Sequence, residues 1–169
     1  MPKIDIRIRD ILKSGADIIV FSAHPSLLAG SGVSGIVHKA AGPELEFFAK
    51  SLGPIEPGHS VITPAFNFPA KYIIHTVCPR YVYGTHEEEQ LLSLAYRSAL
   101  SLKDKAPDTS SIAFVSLGTG VYRWPVEVAA KIAVAELSKS EFESTMMCVS
   151  DSLSKKAYER AYTGVKNAE

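Results

Sequence analysis

The sequence predicts an α/β fold, a three-layer α/β/α sandwich around a mixed, mostly parallel sheet of about six strands. Three observations carry that expectation. Apolar runs of strand length alternate with segments of helical periodicity along the chain. The inner runs, such as Ile18-Ile19-Val20-Phe21, are almost continuously apolar, as strands covered on both faces are. Two of these runs end in glycine-rich turns that lead straight into helical segments, a junction common in α/β proteins.

The elements follow in order. Ile4 to Ile8 alternates apolar and charged residues and reads as a strand with one wet face, and Ile18 to Ser22 is the first buried strand. A helix is expected from Val33 to Ser51. Strands at Ser60 to Pro64 and Tyr72 to Val77 are joined only by Ala65-Phe66-Asn67-Phe68-Pro69-Ala70-Lys71. That link is too short for a helical crossover, so the pair is expected to run antiparallel. From Glu87 to about Leu102, the residues Leu91, Ala95, Ala99 and Leu102 share one helical face. Ile112 to Leu117 is a further strand. Helical spacing returns from Pro125 to Leu137, with Val126, Ala130, Ala133 and Leu137 aligned and Pro125 suited to a first turn. Thr145 to Val149 is the last strand, and Leu153 to Tyr162 the last helix, with Ser152 as its expected cap. No repeat, linker or low-complexity tract interrupts the series, so residues 1–169 are expected to form one domain.

Composition narrows the function classes. Lys plus Arg (18) balance Asp plus Glu (18), so no net basic field marks the chain as a nucleic-acid binder. No apolar run approaches a membrane span, and the start Met1-Pro2-Lys3-Ile4-Asp5 lacks a signal peptide's apolar core. A cytoplasmic protein without a membrane partner is expected. Cys78 and Cys148 end apolar runs and show no metal-ligand spacing, and the histidines His24, His38, His59, His75 and His86 form no local cluster. Neither a metal nor a cofactor is expected.

The chemistry gathers at the two glycine turns. Gly118-Thr119-Gly120-Val121-Tyr122 follows a strand and precedes Pro125, and Gly30-Ser31-Gly32-Val33-Ser34-Gly35 stands in the same relation to the strand at Ile18. Such turns present unpaired backbone N–H groups to an anion, and Gly118 and Gly120 lack the Cβ that would hold a phosphate off. Thr119 offers a hydroxyl and Tyr122 a flat cover for a sugar or base. One glycine turn alone also serves plain geometry. Two of them at the carboxyl ends of neighbouring strands suit a diphosphate held from both sides.

Further blocks flank these turns: Asp10-Ile11, the stretch from Ser26 to Pro43, Val61-Ile62-Thr63-Pro64 and Pro69 to Val77. In their order and spacing the residues resemble the macro domain family, of the type that processes ADP-ribose 1''-phosphate, and the resemblance covers nearly the whole chain. It implies binding of ADP-ribose or a closely related nucleotide. It implies that Asp10 accepts the adenine amino group while the Ile11 backbone contacts the ring. By the same resemblance Gly30, Ser31, Gly32, Val33 and Ser34 face one phosphate and the distal ribose. Gly118, Thr119, Gly120, Val121 and Tyr122 then wrap the diphosphate, with Tyr122 near the distal ribose. Asp10 also reads simply as a cap on a helical turn.

The departures from that pattern bear on catalysis. Many family members that hydrolyse ADP-ribose esters carry Asn-Ala-Ala-Asn where this chain has Phe21-Ser22-Ala23-His24, and an acidic residue where Ser34 stands. The aromatic often found under the adenine corresponds to Ser150. His24 alone among the replacements offers chemistry, as a general base or as a hydrogen-bond partner of a ribose hydroxyl. The leading expectation is therefore a binder of ADP-ribose. The alternatives are an ADP-ribosyl hydrolase or phosphoesterase with an atypical active site around His24, and a protein-interaction module with a degenerate pocket. His38 and His75 are expected to be structural, and Trp124 to pack beside Pro125.

Overall fold

The computed structural model describes residues 3–168; Met1, Pro2 and Glu169, which belong to the expected domain, lie outside the described residues. Its strands are β1 (Ile4–Ile8), β2 (Ile18–Ser22), β3 (Ser60–Pro64), β4 (Tyr72–Thr76), β5 (Ser111–Val115) and β6 (Ser144–Val149). Its helices are α1 (Gly32–Ala41), α2 (Pro43–Ala49), α3 (His86–Ser101), α4 (Val126–Leu137) and α5 (Ser152–Asn167). The strands form one sheet in the order β1-β6-β5-β2-β4-β3. The pairs are parallel except β3 with β4, where Ser60 lies opposite Thr76 and Pro64 opposite Tyr72. The short link thus imposes the expected antiparallel pair.

The two-residue period of the strands divides the core. Ile18 and Val20 of β2, with Ile112 and Phe114 of β5, meet Leu92 and Tyr96 of α3, Ala130 of α4 and Tyr158 of α5. Ile19 and Phe21, with Ile73 and Ala113, meet Val37, Ala41, Leu45 and Ala49 of α1 and α2. Burying each large apolar side chain in these layers stabilises the fold by about 1.5–3 kcal/mol.

Two local expectations are corrected. The segment from Val33 to Ser51 is not one helix, because Gly42 adopts φ +95° and Pro43 begins a second helix. The Gly42 N–H donates to the His38 carbonyl at 2.9 Å and closes α1. The cap of α5 is Asp151, not Ser152: its carboxylate accepts from the Ser154 N–H at 2.7 Å, and the helix runs on to Asn167. A carboxylate at the N-terminus of a helix also opposes the helix dipole, an advantage a serine hydroxyl lacks.

Because β1, β6, β5 and β2 run parallel, their carboxyl ends open on one edge of the sheet. In open α/β sheets ligand crevices form there.

Candidate functional site

A cleft of about 690 Å³ lies at that edge, within the size range of small-ligand sites. Every candidate residue read from the sequence lines it: Asp10 and Ile11, His24, Gly30 to Ser34, and Gly118 to Tyr122. The structure thus brings together residues far apart in the chain.

One wall is the start of α1. Gly32, Val33 and Ser34 are its first three residues, whose N–H groups have no intrahelical acceptor, and Ser31 makes no side-chain capping bond. The helix therefore presents bare donors and the positive end of its dipole to the cleft. Gly35 is required for a different reason, since a Cβ there would strike the Gly30 carbonyl. The Ser34 hydroxyl is buried and has no hydrogen-bond partner among the described residues.

The opposite wall is the turn after β5. Its N–H groups from Gly118 to Tyr122 find no acceptor among the described residues, while the Arg123 N–H to Gly120 O and Trp124 N–H to Gly118 O bonds, both 3.0 Å, close the turn. The two glycines do different work. Gly118 has φ +87°, and a Cβ on it would sit 2.7 Å from the Trp124 ring, so this glycine serves packing rather than ligand approach. A Cβ on Gly120 would meet nothing within 4 Å. Thr119 also departs from expectation. Its hydroxyl lies 3.1 Å from the Ser116 carbonyl and 3.0 Å from the Ser116 hydroxyl, and so is engaged inside the turn.

At the third side, Asp10 does act as a cap: Oδ1 accepts from the Leu12 N–H at 3.0 Å on the short turn Ile11–Lys13. Oδ2 has no such bond and stays available. Cys148 also lines the cleft, but burial pushes its thiol up to about 11, so it is a neutral packing group. Ser150, which stands where the resemblance places an aromatic, lines the cleft too.

His24 is exposed at the end of β2. Its Nδ1 accepts from the Ser26 N–H at 3.1 Å and lies 2.8 Å from the Ser26 hydroxyl. An Nδ1 lone pair engaged by a backbone donor leaves the proton of the neutral ring on Nε2. The side chain therefore offers a donor from Nε2, and lacks the free lone pair that a base needs there.

Phe21 lies outside the cleft. It is fully buried on the α1–α2 side, edge-on to His75 at 5.0 Å and to His38 at 6.1 Å between ring centroids. His75 Nε2 lies 3.0 Å from the Thr63 hydroxyl. Burial, then the neighbouring His38, lowers the His75 pKa to about 3. Burial likewise lowers that of His38, against an opposing pull from Glu46. Both histidines are neutral core residues, as expected. Trp124 is buried too, and its indole N–H donates to the Pro79 carbonyl at 2.9 Å.

The sequence reading missed Arg9, Ser22, Val115, Ser116, Val149 and Ser154 in the cleft wall. Most follow or end a parallel strand, so strand polarity was the signal that would have found them. Among the described residues no group of three or more His, Cys, Asp or Glu side chains is arranged to hold a metal. No helix among them is long and apolar enough to cross a membrane.

Comparison with known proteins agrees with this geometry. A family model, Macro domain, matches residues 20–133. A macro domain-containing protein of Mesorhizobium japonicum is 39% identical over 171 residues, spanning 98% of this chain and 97% of its own. An O-acetyl-ADP-ribose deacetylase of Citrobacter rodentium is 46% identical over 134 residues, 77% of this chain and 75% of its own. Among solved structures, the Oceanobacillus iheyensis macrodomain with ADP superposes with a TM-score of 0.89 at 32% identity, covering 97% of this chain and 92% of that one. The Trypanosoma brucei macrodomain in complex with ADP-ribose gives 0.82 at 29% identity, covering 93% and 68%.

Proposed function

The chain belongs to the macro domain family, and we propose that its cleft binds ADP-ribose, with the diphosphate between the two turns. One observation carries this reading: two separate sets of unpartnered backbone N–H groups, at Gly32–Ser34 and at Gly118–Tyr122, face a single cleft. Such donors suit a diphosphate, whose charge makes each hydrogen bond stronger than a neutral one. The adenine lies toward Asp10 and Ile11, where the free Oδ2 accepts the amino hydrogen, and the distal ribose lies toward Tyr122 and His24. The free thiols of Cys78 and Cys148 agree with a cytoplasmic setting.

A second reading, hydrolysis of an ADP-ribose ester, is favoured by the likeness to the Citrobacter rodentium deacetylase. The side chains argue against it here. Ser34 supplies no carboxylate, Phe21 is turned away into the core, and His24 presents a donor. The loss of ligand binding altogether is opposed by both donor sets being unoccupied by the protein itself.

Calorimetric titration with ADP-ribose tests the proposal, and saturable one-site binding is expected. Absence of binding at millimolar concentration would overturn it. In parallel, release of acetate from O-acetyl-ADP-ribose separates the two readings.

A further inference from the structure

Resting on the proposal that ADP-ribose occupies the cleft, the geometry points to Glu88 as a positioning residue that holds the Gly118–Tyr122 turn without touching the ligand. Thr85 caps α3 by accepting the Glu88 N–H at 3.2 Å. In an ordinary capping box the acid three residues on returns to the N–H of the cap itself. Here the Glu88 carboxylate also reaches further back along the chain. Its Oε1 accepts from Val82 N at 3.1 Å and Gly84 N at 2.9 Å, and its Oε2 from Tyr83 N at 3.1 Å. Within the loop from Pro79 to Gly84, the second half, Val82 to Gly84, is thereby wrapped around a single anion. Burial draws the carboxyl of Glu88 upward, but the N–H groups of Tyr83, Val82, Gly84 and Thr85 outweigh it and hold the pKa below its usual value.

That loop is joined to the glycine turn at three points. Tyr81 N–H donates to the Tyr122 carbonyl at 3.0 Å. The Trp124 indole N–H donates to the Pro79 carbonyl at 2.9 Å. The Tyr81 ring stands edge-on to Trp124 at 5.1 Å, and Trp124 in turn covers the face of Gly118 where a Cβ would be. Arg80 adds a fourth contact, with its guanidinium 5.5 Å from the centre of the Tyr122 ring.

The turn needs such support. Its own two closing hydrogen bonds leave Val121 84% exposed and Arg123 at φ +66°, a left-handed conformation that a non-glycine residue keeps only when its surroundings impose it. A site built from main-chain donors gains affinity by having them already aimed before the ligand arrives. Glu88 does this at one remove, through the loop.

Trp124 is the only tryptophan in the chain, so its fluorescence reports the junction directly, with no ligand present. The test compares wild type, Glu88→Ala, Glu88→Gln and Thr85→Ala. The readouts are acrylamide quenching of Trp124 and binding of ADP-ribose and adenosine. Glu88→Ala is expected to raise quenching and weaken ADP-ribose by roughly threefold to thirtyfold, the range for residues that act on a site from outside it. Adenosine, which reaches only the Asp10 end, should bind unchanged. Glu88→Gln, which keeps one acceptor oxygen and most of the shape, should recover part of both effects. Thr85→Ala removes the helix cap but not the carboxylate, so it should lower thermal stability while leaving quenching and affinity at wild-type values. Wild-type quenching and affinity in Glu88→Ala would overturn the positioning role. So would a loss in Thr85→Ala equal to that in Glu88→Ala, since that would mark general weakening of α3. If Glu88→Ala fails to fold, Glu88→Gln against Thr85→Ala decides on the same terms. Failure of the wild type to bind ADP-ribose would defeat the functional proposal instead, and the quenching series would still judge the role of Glu88 in holding the turn by itself.

Discussion

Substituting the two glycines of the second turn separates packing from ligand approach. At Gly118 the backbone has φ +87°, which costs a residue with a side chain roughly 1–2 kcal/mol. A Cβ there would also lie 2.7 Å from Trp124, whose indole is anchored on Pro79, and such overpacking costs about 1–3 kcal/mol. Gly118→Ala should therefore destabilise the fold by roughly 2–5 kcal/mol, a fall in Tm of roughly 4–20 °C for a chain of this length. At Gly120 the φ is ordinary for any residue and the added atom meets nothing within 4 Å, so Gly120→Val should stay within about 0.5 kcal/mol of wild type in stability. Its isopropyl group would instead stand in the cleft where a phosphate must approach. Each charge-assisted hydrogen bond lost there costs about 1.5–3 kcal/mol, about tenfold or more in affinity. Thermal melting and ADP-ribose calorimetry on the two variants give both quantities. Wild-type affinity in Gly120→Val would refute the placement of the diphosphate, and a wild-type Tm in Gly118→Ala would refute the packing argument.

Three other outcomes are expected. Asp10→Ala should weaken ADP-ribose by about 1.5–3 kcal/mol and lower discrimination against inosine analogues, whereas Asp10→Asn keeps an oxygen for the Leu12 cap and isolates the adenine contact; equal affinities in wild type and Asp10→Ala would remove Asp10 from the site. Stability should fall on acidification: with His75 at about 3 when folded and an ordinary value near 6.5 when unfolded, the unfolded chain takes the proton first. Stability present above pH 6.5 is then lost by about 2 kcal/mol between pH 7 and pH 5, with His38 acting in the same direction. Urea titrations should show a flatter pH dependence in His75→Leu, and an unchanged slope would contradict this assignment. Release of ADP-ribose from ester-linked substrates should be near background, since a positioned acid–base group contributes typically about 100- to 10,000-fold. Robust turnover that His24→Ala abolishes, with ADP-ribose affinity retained, would make His24 the base and reverse the reading.

Strand burial was legible because it depends on sequence period, and the direction of one strand pair because it depends on link length. Ile18 to Phe21 is apolar on both faces and became a central strand, and the Ala65–Lys71 link was short enough to dictate an antiparallel pair. The break at Gly42-Pro43 was legible in principle, as a glycine before a proline, but the residues on either side share one apolar face and read as continuous. The cleft was foreseeable from its glycines, yet their individual duties were not. Nothing local reveals that Trp124 lies against Gly118 while the space beside Gly120 is open. The same holds for Thr119, whose hydroxyl is claimed by Ser116, and for Phe21, whose direction depends on the pleat of β2. These are consequences of tertiary contact.

That division bears on how a binding site and a catalytic site would part company in this chain. The proposed diphosphate donors belong to the main chain, so replacing side chains around them leaves them in place as long as α1 begins at Gly32 and the second turn keeps its shape. Hydrolysis has no such protection, because an attacking water must be oriented by side-chain atoms. At the positions in question the chain has Ser34, with an unpartnered hydroxyl, and His24, whose Nδ1 is bound to the Ser26 N–H. Breaking the Nδ1 contact and moving the proton from Nε2 to Nδ1 would be needed before the neutral imidazole could act as a base through Nε2. Ser26→Pro deletes that backbone donor and could free the ring to change tautomer. If ester hydrolysis then rose above the wild-type rate while ADP-ribose affinity held, the tautomer would be what keeps this cleft a binding site. If turnover stayed at background, the missing carboxylate at Ser34 would be the larger obstacle.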